Sequence, residues 1–380
     1  LADLNHEAHR RGLRVIGDIT LNHCGRAHDW FVRAQDPQAP ERGYFRFDPD
    51  TPHGYLTWLG VGSLPKFDLT STGLREVLVR EPDSAIRRWI GGDAGFDGWR
   101  VDVANMAGRM GEIDVTQDLA REVRSAMALE GDELLLVAEH AHDASDDLRG
   151  DGWHGTMNYQ GFTRQVWSWL RAPDFYETFL GLPVEVPVIT GAQMVASMRA
   201  FHGRMPWRSL IASWNILGSH DSARIRTVVG SEERQIAALA LAVGLPGVPM
   251  VFAGDEFGAT GSWGEDSRTT IDWQVQDASA SSIVAAYTAL LHLRASSPAL
   301  ATGGLRWVDA ANDSVAFLRE HPTERLLLVV ARGQSEAVRI PLADIGAEQV
   351  EHVFGLAARI EAGHVVVEIP AAGAGVWRVS

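Results

Sequence analysis

The sequence has one cysteine, Cys24, among its 380 residues. A single cysteine cannot form a disulfide within the chain, which excludes a small disulfide-stabilised fold. Hydrophobic residues make up 46% of the chain and charged residues 22%. This is the composition of an ordinary globular protein, and it excludes a disordered chain.

Long uninterrupted hydrophobic runs are missing as well. The longest run, 236–253, is broken by two glycines and two prolines, whereas a membrane-spanning helix needs about 20 apolar residues without such breaks. We therefore expect a helix, a turn and a buried strand there, and no membrane as a partner. The chain has no signal peptide and opens at Leu1 inside a helical pattern. We interpret it as a fragment of a cytoplasmic protein.

Positive charge is scarce. There are 34 Lys and Arg against 49 Asp and Glu, giving a net charge of −15. This balance argues against nucleic acid as a partner and suits a neutral substrate. The glycine-rich loops of nucleotide-binding folds, GxGxxG and GxxxxGK[ST], are also absent, which disfavours a doubly wound nucleotide-binding sheet.

The first three quarters of the chain alternates between strand-like and helix-like segments. The pattern predicts strands over 13–19, 95–103, 133–139, 153–159, 210–217 and 248–254. It predicts helices over 1–11, 82–92, 115–129, 231–243 and 281–295. Polar residues recur at the carboxyl ends of these strands: Asp18, Asp102, Glu139, Asn158, Asp221 and Asp255. Alternating parallel strands with functional groups at this end predict a (β/α)₈ TIM barrel.

Two segments depart from this pattern. Residues 24–72 are irregular and rich in Pro, Gly and aromatics, too long for an ordinary loop. Residues 300–380 contain short β-rich runs without a helical segment between them, which predicts an antiparallel β-sandwich. We therefore predict a catalytic domain over 1–299, with an insertion at about 24–72, and a C-terminal domain over 300–380.

Two strand ends carry candidate acid–base groups. Arg100 and Asp102 share one face of their strand, so the guanidinium can hold the carboxylate ionised for nucleophilic attack. Glu139 ends an apolar strand, where a protonated Glu can serve as general acid. Taken alone, each also has a structural interpretation: a buried ion pair for the first and a surface carboxylate for the second.

Together with two further motifs, these segments resemble the signature regions of the α-amylase family of glycoside hydrolases. The four regions occur in order: DITLNH (18–23), GFDGWRVDV (95–103), AEH around Glu139, and GSHD (218–221). GVPMVFAGDEFG and GEDSRTTIDW, within 247–273, extend the match. The sequence is most similar to the cyclomaltodextrinase, neopullulanase and maltogenic amylase branch and to related bacterial α-glucosidases.

The resemblance implies roles for particular residues. It implies Asp102 as nucleophile, Glu139 as general acid/base and Asp221 as the carboxylate that stabilises the transition state. It implies four substrate-binding residues: His23, Arg100, His220 and Arg268. Retaining cleavage of an α-glucosidic bond then proceeds through a glycosyl-enzyme, with the two reacting carboxyl groups about 5–5.5 Å apart. The implied partners are maltodextrins, cyclodextrins or related α-glucans.

The same resemblance implies an inserted B domain at 24–72 and a barrel that lacks its first two strands. We expect such a chain to be poorly stable or inactive unless the missing part is supplied. No organic cofactor is implied, and a structural Ca²⁺ near Asn22 is compatible with some family members. The resembling branch often forms homodimers through an N-terminal region that is absent here. Loop tryptophans, Trp30, Trp58 and Trp263, are candidates for stacking on sugars.

Three alternatives stay open. The glycosyl-enzyme can be taken by a sugar hydroxyl instead of water, which would make the protein a glycosyl-transferring enzyme. His140, His142 and Asp143, completed by His220 and Asp221, could form the site of a metal-dependent hydrolase. A glucan-binding homologue without activity would keep the fold, but all three family carboxylates are present here.

Overall fold

The computed structural model describes residues 1–92, 95–179, 182–271 and 281–380. In chain order the strands are β1 (Gly17–Thr20), β2 (Gly98–Asp102), β3 (Arg109–Met110), β4 (Ile113–Asp114), β5 (Leu135–His140), β6 (Gly155–Asn158), β7 (Glu177–Phe179), β8 (Leu182–Val184), β9 (Trp214–Ile216), β10 (Val248–Met250), β11 (Gly304–Ala310), β12 (Ser314–His321), β13 (Glu324–Ala331), β14 (Ser335–Pro341), β15 (Val350–Gly355), β16 (Ala358–Glu361), β17 (His364–Ile369) and β18 (Gly373–Val379). The α-helices are α1 (Ala2–Arg10), α2 (Asp29–Arg33), α3 (Thr72–Arg75), α4 (Thr116–Ala128), α5 (Arg164–Leu170), α6 (Gly191–His202), α7 (Trp207–Ala212), α8 (Ile225–Val229), α9 (Glu232–Gly244), α10 (Ser282–Ser296), α11 (Pro298–Thr302) and α12 (Leu342–Ile345). Single turns of 3₁₀ or π geometry occupy Pro40–Tyr44, Glu76–Arg80, Tyr159–Thr163 and Asp255–Phe257.

The first of two compact units comprises Leu1–Met157 and Met205–Ser213. Its strands are ordered β1-β2-β5-β6, and β2 pairs in parallel with both β1 and β5. Because β1, β2 and β5 run in one direction, their carboxyl ends lie at the same edge of the sheet. The interior positions are fully buried, as the burial of Val101 and Val137 shows. The register pairs Thr20 with Asp102.

The helix predicted over 82–92 does not form. The preceding segment is helical instead, from Thr72 to Arg80. The backbone N–H groups of Ala85 and Ile86 donate to carbonyls of that earlier segment, at Val77 and Leu78. These bonds fold residues 82–89 back on the preceding segment as turns, and Ile90 forms an isolated β-bridge with Phe96. The predicted strand over 210–217 is likewise half helix, since α7 continues to Ala212.

The segment 24–72 folds around clustered aromatic side chains rather than around regular elements. Phe31 packs edge-to-face on Phe45 and Tyr55, with ring centroids 4.9 Å and 4.7 Å apart. Isolated β-bridges join its chain, including one between Phe45 and Phe67. Aromatic packing of this kind supplies buried apolar area that short helices and bridges cannot supply alone.

We expect the half-buried His154, which immediately precedes β6, to make the first unit acid-sensitive. The Leu136 N–H donates to Nδ1 of His154 at 2.9 Å, which requires a neutral ring. Burial, aided by the Arg124 charge, lowers the pKa of His154 to about 4. A histidine with a depressed pKa binds its proton more readily when unfolded, so stability is lost as pH falls from about 6.5 toward 4.

We expect His154→Asn to reduce this acid sensitivity, because an asparagine oxygen accepts the Leu136 N–H without titrating. The measurement is the urea midpoint of unfolding at pH 7 and at pH 5. The wild type should lose more stability over this interval than the variant. An exposed histidine changed in the same way, His6→Asn, is the matched control. Equal losses in wild type and His154→Asn would contradict the assignment.

The second compact unit comprises Asn158–Arg204 and Trp214–Ser380. Here β9 and β10 are paired in parallel, and α9 connects toward β10. The helix begins at Ser231, as its sequence predicts, where the side chain accepts the Arg234 N–H at 3.3 Å. Residues 237–244 of α9 are buried throughout, because other elements of the unit surround the helix.

The C-terminal part of this unit is an antiparallel β-sandwich, as predicted. One sheet has the order β11-β12-β13-β18-β15 and the other β14-β17-β16. Their facing side chains, among them Leu318, Leu327, Val365 and Trp377, form a hydrophobic core. The predicted domain boundary at residue 299 stays a prediction. No helix in the described ranges is long and apolar enough to cross a membrane.

Candidate active site

One buried guanidinium organises the carboxyl edge of the first unit. Arg100 Nη1 contacts Asp18 at 2.9 Å and Asp102 at 2.8 Å, and Nη2 lies 2.9 Å from Oε2 of Glu139. Burial disfavours the charged guanidinium, yet the charges of Glu139, Asp18 and Asp102 raise the pKa of Arg100. Arg100 therefore stays charged and holds carboxyl groups from three neighbouring strands, two of them, Asp102 and Glu139, at the carboxyl ends.

The backbone after β2 brings Glu139 toward Asp102. Val103 has a positive φ of 47°, and its N–H donates to Oε2 of Glu139 at 2.8 Å. A β-branched residue avoids this left-handed region, at a cost of about 1–3 kcal/mol. Such strain persists where surrounding contacts impose it. Here the strained backbone conformation of Val103 points its N–H toward the carboxyl group of Glu139 on the neighbouring strand β5.

His23 lies beside this cluster in a fixed orientation. Its ring stacks on Trp58 with centroids 5.4 Å apart, and its Nδ1 lies 3.0 Å from Nδ2 of Asn22. Burial, and to a smaller extent the Lys66 charge, lowers the pKa of His23, while the Asp102 charge opposes this. A neutral imidazole at this place can hydrogen-bond a sugar hydroxyl.

The remaining predicted site residues lie in the second unit, where they contact one another. Arg268 Nη2 pairs with Asp221 at 3.0 Å, and its Nε donates to the His220 carbonyl at 2.8 Å. The Asp221 N–H donates to Oγ of Ser219, which is itself 2.8 Å from the hydroxyl of Tyr159. The loop carrying Asp221 is therefore held by both side-chain and backbone contacts. All seven predicted residues thus fall into two local clusters, one in each unit.

A model of the α-amylase catalytic domain matches residues 1–289, which is most of the chain. The chain belongs to the α-amylase family. This confirms the family resemblance of its sequence motifs.

Relatives and solved structures agree with this membership. The chain is 26% identical over 425 residues to the amylopullulanase of Thermoanaerobacter thermohydrosulfuricus, covering 96% of this chain and 28% of the relative. It is 28% identical over 355 residues to neopullulanase 2 of Thermoactinomyces vulgaris, covering 90% of this chain and 55% of the relative. The chain thus spans between about a quarter and about half of these relatives.

The fold is also that of solved family members. The ligand-free structure of the cyclic alpha-maltosyl-(1→6)-maltose hydrolase from Arthrobacter globiformis superposes with a TM-score of 0.80 at 27% identity, covering 100% of this chain and 78% of that one. The predicted α/β fold of the family, with its C-terminal antiparallel β domain, is therefore confirmed.

The histidines proposed as metal ligands have other partners. His140 is fully buried, and its Nε2 lies 2.9 Å from Asp147, which also pairs with Arg109 at 2.8 Å. His142 Nδ1 lies 3.2 Å from the side chain of Asn105. Within residues 1–92, 95–179, 182–271 and 281–380, no group of three or more His, Cys, Asp or Glu side chains could hold a metal. The metal-hydrolase alternative gains no support from these contacts.

The residues at Asn22 do not fit the structural Ca²⁺ that the family allows. The Oδ1 of Asn22 accepts a hydrogen bond from the Lys66 ammonium, which also donates to the Met106 carbonyl at 2.8 Å. Burial lowers the pKa of Lys66 to about 8. Calcium takes about six to eight oxygen ligands, several of them carboxylates. Here two neutral oxygens already bind a cation that belongs to the chain itself.

The three loop tryptophans have different surroundings. Trp30 packs edge-to-face on Tyr44 at 5.6 Å, and Trp58 is the partner of His23. Trp263, on the loop beside Asp221, is 39% exposed and is the most exposed of the three. The last two residues of the GEDSRTTIDW motif, Asp272 and Trp273, lie outside the described residues.

From the sequence alone, Asp18 is noted among the polar residues at strand ends but has no assigned role, and Lys66 is not singled out. Asp18 is the second residue of β1 and belongs to the first family motif, and the parallel register places it opposite Arg100 on β2. The composition could have drawn attention to Lys66, because it is the only lysine in the sequence.

Proposed function

We propose that this chain carries the catalytic centre of a retaining α-glucan hydrolase. Asp102 is the nucleophile, Glu139 the general acid/base, and Asp221 a carboxylate that stabilises the transition state. The observation that carries the proposal is the placement of Asp102 and Glu139 on the two terminal nitrogens of one guanidinium, at 2.8 Å and 2.9 Å. Two carboxyl groups held this way suit a double-displacement reaction.

The charge of the cluster supports this chemistry. With Glu139 protonated for its role as general acid, the carboxylates of Asp18 and Asp102 still share the single positive charge of Arg100. The excess negative charge favours the developing positive charge of an oxocarbenium-like sugar. Asp102 keeps its Oδ2 within 3.3 Å of the Thr20 hydroxyl, which fixes the rotation of the attacking carboxylate.

Asp102 and Glu139 each act in defined steps of the proposed reaction. An Asp102 oxygen attacks the anomeric carbon, the glycosidic bond breaks, and Glu139 gives its proton to the leaving oxygen. Glu139 next removes a proton from water, which attacks the glycosyl-enzyme and releases Asp102. His23 and His220 bind sugar hydroxyls, and Arg268 orients Asp221.

The substrates we propose are maltodextrins, cyclodextrins and related α-glucans. One relative is named a neopullulanase and one solved structure a cyclic maltosyl-maltose hydrolase. Both names describe enzymes that act on α-glucans. The net charge of −15 agrees with such a neutral substrate.

Glu139→Gln tests the mechanism directly. With α-glucosyl fluoride the leaving group needs no proton, so Asp102 can still form the glycosyl-enzyme, but water is no longer activated. We expect mass spectrometry to show one added hexose on the peptide that contains Asp102. In the wild type, proton NMR should show the α-anomer as first product. A β-anomer, or an adduct on another residue, would contradict the proposal.

A further inference from the structure

The only lysine of the chain is buried beside the proposed active site. The chain has 34 Lys and Arg residues, and Lys66 is the single lysine among them. It is 6% exposed, although lysine is among the residues least often buried. Elsewhere the chain uses arginine, so a compact ammonium ion at this one position calls for an explanation.

The ammonium of Lys66 joins two loops. It donates a hydrogen bond to Oδ1 of Asn22, in the loop after β1. It also donates to the carbonyl of Met106, in the loop after β2, at 2.8 Å. Within the described part of the chain it forms no ion pair with a carboxylate. Both partners are neutral oxygens, so the ammonium serves them as a small cation would, by electrostatic attraction and hydrogen bonding.

These contacts determine the protonation of His23. An ammonium only donates hydrogen bonds, so Lys66 requires the oxygen of the Asn22 amide to face it. The NH₂ group of Asn22 then faces Nδ1 of His23, at 3.0 Å. An NH₂ group also only donates, so Nδ1 must be the unprotonated acceptor and the ring proton must be on Nε2.

We propose that Lys66 is a positioning residue that replaces a structural metal ion and, through Asn22, fixes His23 as the Nε2–H tautomer. His23 then presents a fixed N–H donor to a sugar hydroxyl, while Trp58 holds its ring plane. This inference rests on the proposed function only for the identity of that sugar partner.

The tautomer of His23 is the first test. Long-range ¹H–¹⁵N spectra of ¹⁵N-histidine protein at pH 7 distinguish Nδ1–H from Nε2–H, and His23→Asn assigns the signal. We expect Nε2–H in the wild type and loss of this single form in Lys66→Met. An Nδ1–H or doubly protonated ring in the wild type, or an unchanged signal in Lys66→Met, would overturn the inference.

If Lys66→Met does not fold, the variant Asn22→Asp tests the control of the His23 tautomer instead. An aspartate keeps the contact with Lys66 as an ion pair, but its second oxygen can only accept. The proton of His23 should therefore move to Nδ1. A ring that keeps the Nε2–H form in folded Asn22→Asp would show that Asn22 does not control it.

Metal and kinetic measurements complete the test. We expect the melting temperature of the wild type to be unchanged by EDTA or by added Ca²⁺. A lower melting temperature in EDTA would contradict the proposal that Lys66 takes the place of a structural metal ion. We also expect Lys66→Met to lower kcat/KM by about tenfold, as for one lost hydrogen bond to substrate. Arg46→Met, an exposed basic residue of the same segment, is the matched control.

The spectra and the melting temperatures need no substrate. If the chain hydrolyses no α-glucan but shows the expected tautomers, only the proposed function fails. If it is active and His23 has another tautomer, only the role of Lys66 fails.

Discussion

Replacing Asp102 by asparagine is expected to abolish turnover and leave the fold intact. The amide cannot attack an anomeric carbon, so kcat/KM should fall by at least about 10⁴-fold. Its oxygen can still accept a hydrogen bond from Arg100. Because the change removes a negative charge from the carboxyl groups around a single guanidinium, it relieves repulsion, and we expect the melting temperature to stay the same or rise.

The measurement is initial-rate hydrolysis of a maltodextrin, together with a thermal melt of each variant. Asp118→Asn, which changes a carboxylate with a side chain 71% exposed on α4, is the matched control. It should keep wild-type activity. Activity of Asp102→Asn within tenfold of the wild type would show that another group is the nucleophile.

The position of this centre follows from the sequence to a large extent. Apolar runs that end in Asp102 and Glu139 specify buried parallel strands, and parallel strands bring their carboxyl ends to one edge of a sheet. The alternation of side chains along β2 places Arg100 and Asp102 on one face, as observed. These features depend on short-range patterns that a single sequence displays.

What the sequence does not display depends on contacts between distant segments. The left-handed backbone of Val103 opposes the local preference of valine and arises only because Glu139 lies on the adjacent strand. The contact of Lys66 with Asn22 joins residues 44 positions apart. The predicted helix over 82–92 fails for a related reason, since backbone bonds from Ala85 and Ile86 fold this segment back on the preceding helix as turns.

The largest effect on stability is expected from Arg224, which is buried behind the Asp221 loop. Its Nη1 pairs with Asp255 at 2.9 Å, and both side chains are almost fully buried. The guanidinium also lies 4.1 Å from the ring centroid of Phe252. Burial raises the pKa of Asp255, although the Arg224 charge opposes this. A pair of this kind is costly to break from one side, because it leaves a buried charge without a partner.

We therefore expect Arg224→Met to lower the free energy of unfolding by about 3–5 kcal/mol, measured by urea titration at pH 8. The loss should be smaller at pH 6, because a buried Asp255 without its partner takes up a proton and loses its charge. Arg224→Met combined with Asp255→Asn should recover part of the loss at pH 8. Arg199→Met, an exposed arginine of α6, should be close to neutral.

The same change should reach the proposed active site. Arg224 Nε donates to the Ser267 carbonyl at 2.9 Å, and its backbone N–H donates to the Gly261 carbonyl at 2.9 Å. These bonds hold both ends of the loop 261–267. Gly264 in this loop packs closely on His220, since a Cβ at Gly264 would lie 3.1 Å from the His220 carbonyl oxygen. Methionine keeps the backbone bond to Gly261 but loses the side-chain bond to Ser267, which loosens one end of the loop packed against Asp221. Arg224→Met should thus lose kcat even at temperatures where it is fully folded, and wild-type kcat in the folded variant would confine Arg224 to stability alone.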